Sequence, residues 1–200
     1  MTEHPILLLD KRTGKFVPAK LVETINEGHL ASVEKEWMPI LLRRLRELVD
    51  QRQPLPENRH WVWRDKVARI RGLLAYRTFA IVCEGQTQGL IQINTAGTCR
   101  LPGQVGKPLA YVDYLETAPW NRGSMVRQPH FGLVGTVLIR AAIEVSLEEG
   151  FHGRIGLHSL PQSEAFYVQA CEMTELGIDG TYENLKYFEM TPEQAASFSG

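Results

Sequence analysis

Apolar residues recur at helical spacing over Val134, Val137, Leu138, Ala141, Ala142 and Val145. That spacing predicts a helix with a wide apolar stripe. Arg140, Glu144, Glu148 and Glu149 lie largely off the stripe, and Gly150 is placed as the C′ glycine that stops the helix. Leu109 to Thr117 reads as the strand before it and Arg154 to His158 as the strand after it. Between strand and helix runs Pro129-His130-Phe131-Gly132-Leu133-Val134-Gly135-Thr136. A small-residue loop opening into a helix is a phosphate-binding layout. Glycine lets the backbone approach an anion, and the free N–H groups and positive dipole end of the helix point at it. An ordinary strand-to-helix turn explains the loop taken alone equally well.

The rest of the pattern frames this unit. Ile6 to Leu9 predicts a short strand, Asp10 to Gly14 a turn, and Phe16 to Val22 a returning strand whose Pro18 hints at an edge. Ser32 is a candidate N-cap for a helix over Val33 to Val49, with Val33, Trp37, Ile40, Leu41, Leu45 and Leu48 on one face. Arg43, Arg44 and Arg46 fall mostly off that face and read as a solvated surface. Gln53-Pro54-Leu55-Pro56 breaks the chain, and a second helix follows from about Asn58 to Leu74, its stripe Trp63, Val67, Ile70 and Leu74. The aromatic-dense His60-Trp61-Val62-Trp63 reads first as core packing and second as part of a pocket wall. Tyr76 to Cys83 and Gly89 to Asn94 form a hairpin, and Thr95 to Lys107 a glycine-bearing loop. After the central unit come a helix from Ser163, a loop at Gly177 to Gly180, a strand at Leu185 to Met190, and a short capped turn over Thr191 to Ala195. About seven strands and four helices in mixed order predict an α/β, or α+β, three-layer domain with helices on both faces of a central mixed sheet.

Composition narrows the function classes. Two hundred residues with 44% hydrophobic content suit one domain with a real core. A formal net charge of −1 argues against a nucleic-acid partner. No run reaches the ~18 apolar residues of a membrane span. Cys83, Cys99 and Cys171 have no metal-ligand spacing, so no metal is expected, and a sparse, odd set of thiols suggests a reducing cytoplasm. The first residues carry no basic n-region and no signal core.

The C-terminal half resembles the GNAT N-acetyltransferase superfamily. The family's pattern is a strand ending in a Val-x-Pro-like step, then Arg/Gln-x-x-Gly-x-Gly/Ala opening a helix, then a strand, then a helix bearing Phe-Tyr. Thr117-Ala118-Pro119, His130-Phe131-Gly132-Leu133-Val134-Gly135 and Ala165-Phe166-Tyr167 resemble these steps in that order, over roughly residues 76–190. The chain departs from the pattern at His130, where Arg or Gln is usual, and at Leu133, which takes the place of the first motif glycine. Trp120 to Gln128 is an added segment. Gly-Lys-Ser/Thr and Gly-x-Gly-x-x-Gly endings are absent, which sets aside P-loop and dinucleotide readings.

The resemblance implies one GNAT-like domain over 1–200, residues 1–75 forming the acceptor side and 76–190 the acyl-CoA-binding core. It implies transfer of an acetyl group from acetyl-CoA to a primary amine of a small molecule or protein, by direct attack in a ternary complex. His130, Gly132, Leu133, Val134, Gly135 and Thr136 would cradle the pyrophosphate, with Arg122 and Arg127 as candidate phosphate partners. The backbone at Leu115 and Thr117 would run beside the pantetheine arm like an added strand. Tyr167 is implied as general acid. The base is open among Asp113, Glu116, His158 and a water chain, and His158 is also a candidate CoA contact. Strand alternation sets Asp113, Leu115 and Thr117 on one face and Glu116 on the other, so only one carboxylate easily faces the acceptor. The rival is a GNAT-shaped module that holds acyl-CoA or a protein partner without turnover. A homodimer through the aromatic-rich N-terminal helices stays open, and the acceptor carries no readable code.

Overall fold

The structure, a computed structural model, describes residues 2–198. Nine strands form one mixed sheet: β1 (Glu3–Asp10), β2 (Lys15–Glu23), β3 (Tyr76–Cys83), β4 (Gln86–Thr98), β5 (Pro108–Thr117), β6 (Phe131–Gly132), β7 (Ile155–Ser159), β8 (Thr174–Asp179) and β9 (Leu185–Met190). Their order across the sheet is β6-β1-β2-β3-β4-β5-β7-β9-β8. The helices are α1 (Glu27–Ser32), α2 (Met38–Asp50), α3 (Trp63–Arg69), α4 (Val134–Glu148), α5 (Glu164–Gln169) and α6 (Pro192–Ser197). The mixed α/β class matches the sequence reading. The two strands beyond the expected seven are β6, hidden inside the glycine loop, and β8, which the glycines at 177 and 180 disguise as a loop.

The chain forms two compact units. The first takes the residues up to Leu73 with Thr78–Leu90 and Glu116–Gly135, and the second takes Leu74–Arg77, Ile91–Leu115 and the residues from Thr136 on. In the first, Leu8, Val33, Trp37, Trp63, Ile81, Trp120 and Phe131 are buried. Trp37 is wholly enclosed, donates its indole N–H to the Thr87 carbonyl at 2.9 Å, and meets Trp120 edge-on at 6.5 Å. Both rings thus bury large apolar area while their polar edges are satisfied, since Trp120 donates to Gln88 Oε1 at 2.8 Å.

The first predicted helix needs correction. The helical run begins at Glu27, with Asn26 and not Ser32 as N-cap. Asn26 Oδ1 accepts from the His29 N–H, and the His29 ring accepts from the Asn26 N–H, a capping box in which histidine replaces the usual Glu or Gln. Ser32 instead donates to Glu36 and accepts the Thr87 N–H. The backbone is under-wound into a π turn at Val33–Trp37 before α2, the Met38 N–H reaching back to the Val33 carbonyl. The second predicted helix is also shorter: Glu57–His60 is a 3₁₀ turn, and only Trp63–Arg69 is α-helical.

In the second unit α4 buries Leu138, Ile139, Ala142, Ile143, Val145 and Ser146, a wider arc than the predicted stripe. Gly150 has φ +74°, and the Phe151 N–H reaches back to the Ser146 carbonyl, closing the helix as expected. The loop after β4 is pinned by Glu189, a fully buried carboxylate that accepts the Arg100 and Leu101 N–H groups and the Gln104 amide. The capped turn at Thr191 is a complete helix, α6, closed by a capping box between Thr191 and Gln194. Among the described residues no helix is long and apolar enough to cross a membrane.

Asn26→Ala removes the cap acceptor and is expected to lower stability by about 1 kcal/mol, whereas Asn26→Asp, which keeps the acceptor, costs much less. Chemical denaturation of the two variants checks this.

Candidate active site

The glycine loop reaches α4 by way of the sheet. Phe131 and Gly132 pair with Asp10 and Leu9 of β1, the Lys11 N–H donates to the His130 carbonyl at 2.8 Å, and the His130 N–H donates to the Trp120 carbonyl at 2.9 Å. Asn121 Oδ1 takes the Phe131 N–H at 3.0 Å. The chain then turns through Leu133 at φ +69° into Val134, the first residue of α4. This is a left-handed conformation that favours glycine, and Leu133 holds it with its side chain exposed. The departure at Leu133 therefore keeps the turn geometry a motif glycine would supply, at a strain of about 1–2 kcal/mol. The first-turn N–H groups of α4 have no intrahelical acceptors and carry its positive dipole end. Gly135 and Thr136 in that turn are partly exposed.

On β5 the two carboxylates separate as the strand period requires. Glu116, 6% exposed, belongs to the first unit. Its Oε1 accepts Asn58 Nδ2 at 2.8 Å and the Arg122 guanidinium at 3.2 Å, and its Oε2 accepts Trp63 Nε1 at 2.7 Å. Burial disfavours the charged form of Arg122 more than its pairing with Glu116 restores it. Asp113, in the second unit, accepts Gln92 Nε2 at 3.1 Å and is partly exposed. Thr117 belongs to the first unit and Leu115 to the second.

His158 is enclosed in the second unit, its side chain almost wholly buried. Its Nε2 lies 3.0 Å from Asp179 Oδ2 and its Nδ1 2.7 Å from the Tyr111 hydroxyl. The carboxylate can only accept, so in the neutral ring Nε2 carries the proton and Nδ1 accepts the Tyr111 O–H. Tyr182 stacks on the imidazole at 4.0 Å. Asp179 is held far below the usual carboxylate range by Thr181 and then by Arg100 and His158. Gly156 makes room beside this cluster, since a Cβ there would meet the Tyr187 hydroxyl at 2.6 Å. Arg100, Asp179, Gly180 and Tyr187 line a cavity of about 380 Å³ with the edge residues Leu176 to Ile178.

Tyr167 sits on α5, buried against Phe166 and Phe188, with ring centroids 5.2 and 6.0 Å away. Burial, with Cys171 nearby, pushes its phenol well above the ordinary range, so it keeps its proton at neutral pH. Asn58, Trp63 and Asp179 were not anticipated as partners of these residues. The pairings join positions far apart in the chain, and Asp179 lies in the segment read as a loop. Among the described residues no group of three His, Cys, Asp or Glu side chains could hold a metal, and the three cysteines are free and buried.

Desolvation lowers the His158 pKa from its ordinary value, outweighing the opposing pull of Asp179. Below about pH 6.5 the unfolded chain therefore takes up this proton before the folded one, and stability falls as pH falls. His29 is shifted the same way by burial. The unfolding midpoint is expected to drop from about pH 7.5 to about pH 5 with a shallower slope in His158→Gln. Equal slopes would mean that His158 is not held neutral.

No family model matches this sequence, and no curated protein matches it. Solved structures do. The GNAT domain of S. lividans PAT is 15% identical, with 94% of this chain and 96% of that one covered at a TM-score of 0.55. FeeM, an N-acyl amino acid synthase from uncultured soil microbes, is 12% identical over 90% and 95% at 0.53. PaiA N-acetyltransferase from Thermoplasma acidophilum, in complex with coenzyme A, is 12% identical over 86% and 98% at 0.53. This chain has the fold of the GNAT N-acetyltransferase superfamily.

Proposed function

We propose that the protein is an acyl-CoA-dependent N-acetyltransferase, with acetyl-CoA as acyl donor and a primary amine of a small molecule or protein as acceptor. The observation that carries this reading is the short parallel ladder between β5 and β7. The two strands pair in parallel from Ala110↔Ile155 to Val112↔Leu157, and β5 runs on to Thr117. Peptide groups at the end of such a ladder suit an amide-bearing arm laid alongside, as a pantetheine chain is. The left-handed turn at Leu133 and the open first turn of α4 support a pyrophosphate cradle over Gly132 to Thr136, with His130 at its start. The shared fold with a coenzyme A complex and with a GNAT domain supports the same reading.

In this reaction the amine nitrogen attacks the thioester carbonyl carbon. A C–N bond forms, the C–S bond breaks, the nitrogen gives up a proton to a base, and the thiolate takes one from an acid. Tyr167 is proposed as the acid, because burial keeps its phenol protonated. For the base, Asp113 or a water chain is favoured over Glu116, whose oxygens already accept three donors, and over His158, whose nitrogens are committed to Tyr111 and Asp179. A cytoplasmic setting is part of the proposal.

Acetyl-CoA at about one hundred times its dissociation constant stabilises a binding fold by roughly 2.7 kcal/mol, a midpoint rise of several degrees. Wild type is expected to show that rise and Gly135→Glu to lose it, because a carboxylate in the first turn of α4 repels phosphate. Tyr167→Phe is expected to keep the rise and lose about a hundredfold or more in thiol release with an accepted amine. No rise in wild type at millimolar acetyl-CoA would remove the donor from the reading.

A further inference from the structure

Arg122 is under-used by its surroundings. It follows the 3₁₀ turn Pro119–Asn121, and its backbone N–H donates to the Pro119 carbonyl at 3.2 Å. Its side chain is 18% exposed. A guanidinium offers five N–H donors in a rigid planar fork. One hydrogen bond is made, from a terminal nitrogen to Glu116 Oε1, and Nε is buried with no partner. Glu116 is not paired with the fork through both oxygens: Oε1 is shared with Asn58, and Oε2 accepts Trp63. Buried donors of a charged group are costly to leave unmade, so a desolvated fork with donors to spare points to a partner from outside the chain. The shape that fits it is a planar anion with two oxygens.

The surroundings suit a small organic anion. Trp63 and Asn58, which grip the same carboxylate, belong to the segment that also carries Trp61, and Lys66 stands over the Trp61 ring at 4.5 Å. Lys66 is itself largely buried and lies one turn along α3 from Trp63, on the same helix face. The elements that supply Asn58 and Trp63 to Glu116 thus also carry apolar ring surface and a second cation.

We infer that Arg122 binds the carboxylate of the acceptor, so that the acceptor is an amine that also carries a carboxylate, with Glu116 as the positioning residue that holds the guanidinium in place. The inference rests on the acyl-transfer reading for the word acceptor, but not for the carboxylate site.

The test reads binding without acetyl-CoA. Thermal shift and equilibrium dialysis of the full chain are run with the common L-amino acids, β-alanine and 4-aminobutyrate, each beside its carboxamide. At least one acid is expected to protect wild type, with its amide about tenfold weaker or more. Arg122→Lys keeps a charge beside Glu116 but loses the fork, and is expected to weaken that acid by about tenfold. Arg122→Gln is expected to weaken it at least as much. Coenzyme A is titrated into the same proteins and is expected to bind each within about twofold of wild type. If no acid protects, or acid and amide protect equally, the inference is overturned. It is also overturned if Arg122→Lys weakens coenzyme A and spares the acid, which would give the guanidinium to a cofactor phosphate. If Arg122→Gln does not fold, the acid–amide comparison and Arg122→Lys still decide. A wild type that binds an acid but not acetyl-CoA sinks the acyl-transfer reading and leaves the carboxylate site standing.

Discussion

The first unit depends on one buried negative charge. Glu116 lies at the end of β5, almost sealed from water, where a carboxyl group left without hydrogen-bond partners would be costly. Three donors answer it, and each comes from a different place: Asn58 from the 3₁₀ turn, Trp63 from the start of α3, and Arg122 from the segment after β5. The carboxylate thus acts as a three-way clasp. It explains why an amide, an indole and a guanidinium are buried at those positions, and why the chain between β5 and β6 has a defined path. The same demand limits Glu116 chemically, since an oxygen pair gripped by three donors has little left to offer an ammonium.

From that clasp the path to α4 is set by backbone pairing. The segment after Arg122 is stapled back through His130 to Trp120 and through Phe131 to Asn121, and then joins β1 as a two-residue strand. Pairing fixes the direction in which the chain leaves β6, and one residue at positive φ is enough to swing it into a helix. Leucine holds that conformation at a cost set by its Cβ against its own backbone, with its side chain exposed. A loop that looks irregular beside a glycine-rich motif still delivers the first turn of a helix in the open, which is the physical requirement for holding a phosphate.

The second unit solves a different problem, that of burying a histidine. His158 is charged at little cost in water and at high cost in an aromatic cage, so its two nitrogens are given complementary partners that keep it neutral. Tyr182, Tyr187 and Tyr111 close round it, and Arg100 balances Asp179 while lying over Tyr187. The cluster ties β5, β7 and the turn after β8 together. Its place in the fold is that of a brace for the strand ends.

The sequence by itself determined the elements with strong periodicity. The helix ending at Gly150, the strands at Tyr76–Cys83 and Leu185–Met190, and the mixed α/β class all follow from local hydrophobic spacing and capping chemistry, which need no knowledge of partners. It also showed that Asp113 and Glu116 face opposite ways, because a strand's period of two leaves no choice. What only the tertiary structure decided was every feature that depends on residues distant in the chain. A two-residue strand such as β6 has no periodicity to detect and exists because β1 lies beside it. β8 carries glycines that argue against a strand, and pairing with β9 overrides them. Asn26 outcompetes Ser32 as a cap because His29 can return the hydrogen bond. The partners of Glu116 and His158 lie up to 58 residues away in the chain, and no spacing rule links Asn58 to Glu116. Buried charges choose partners by proximity in the fold, and that proximity is written only in three dimensions.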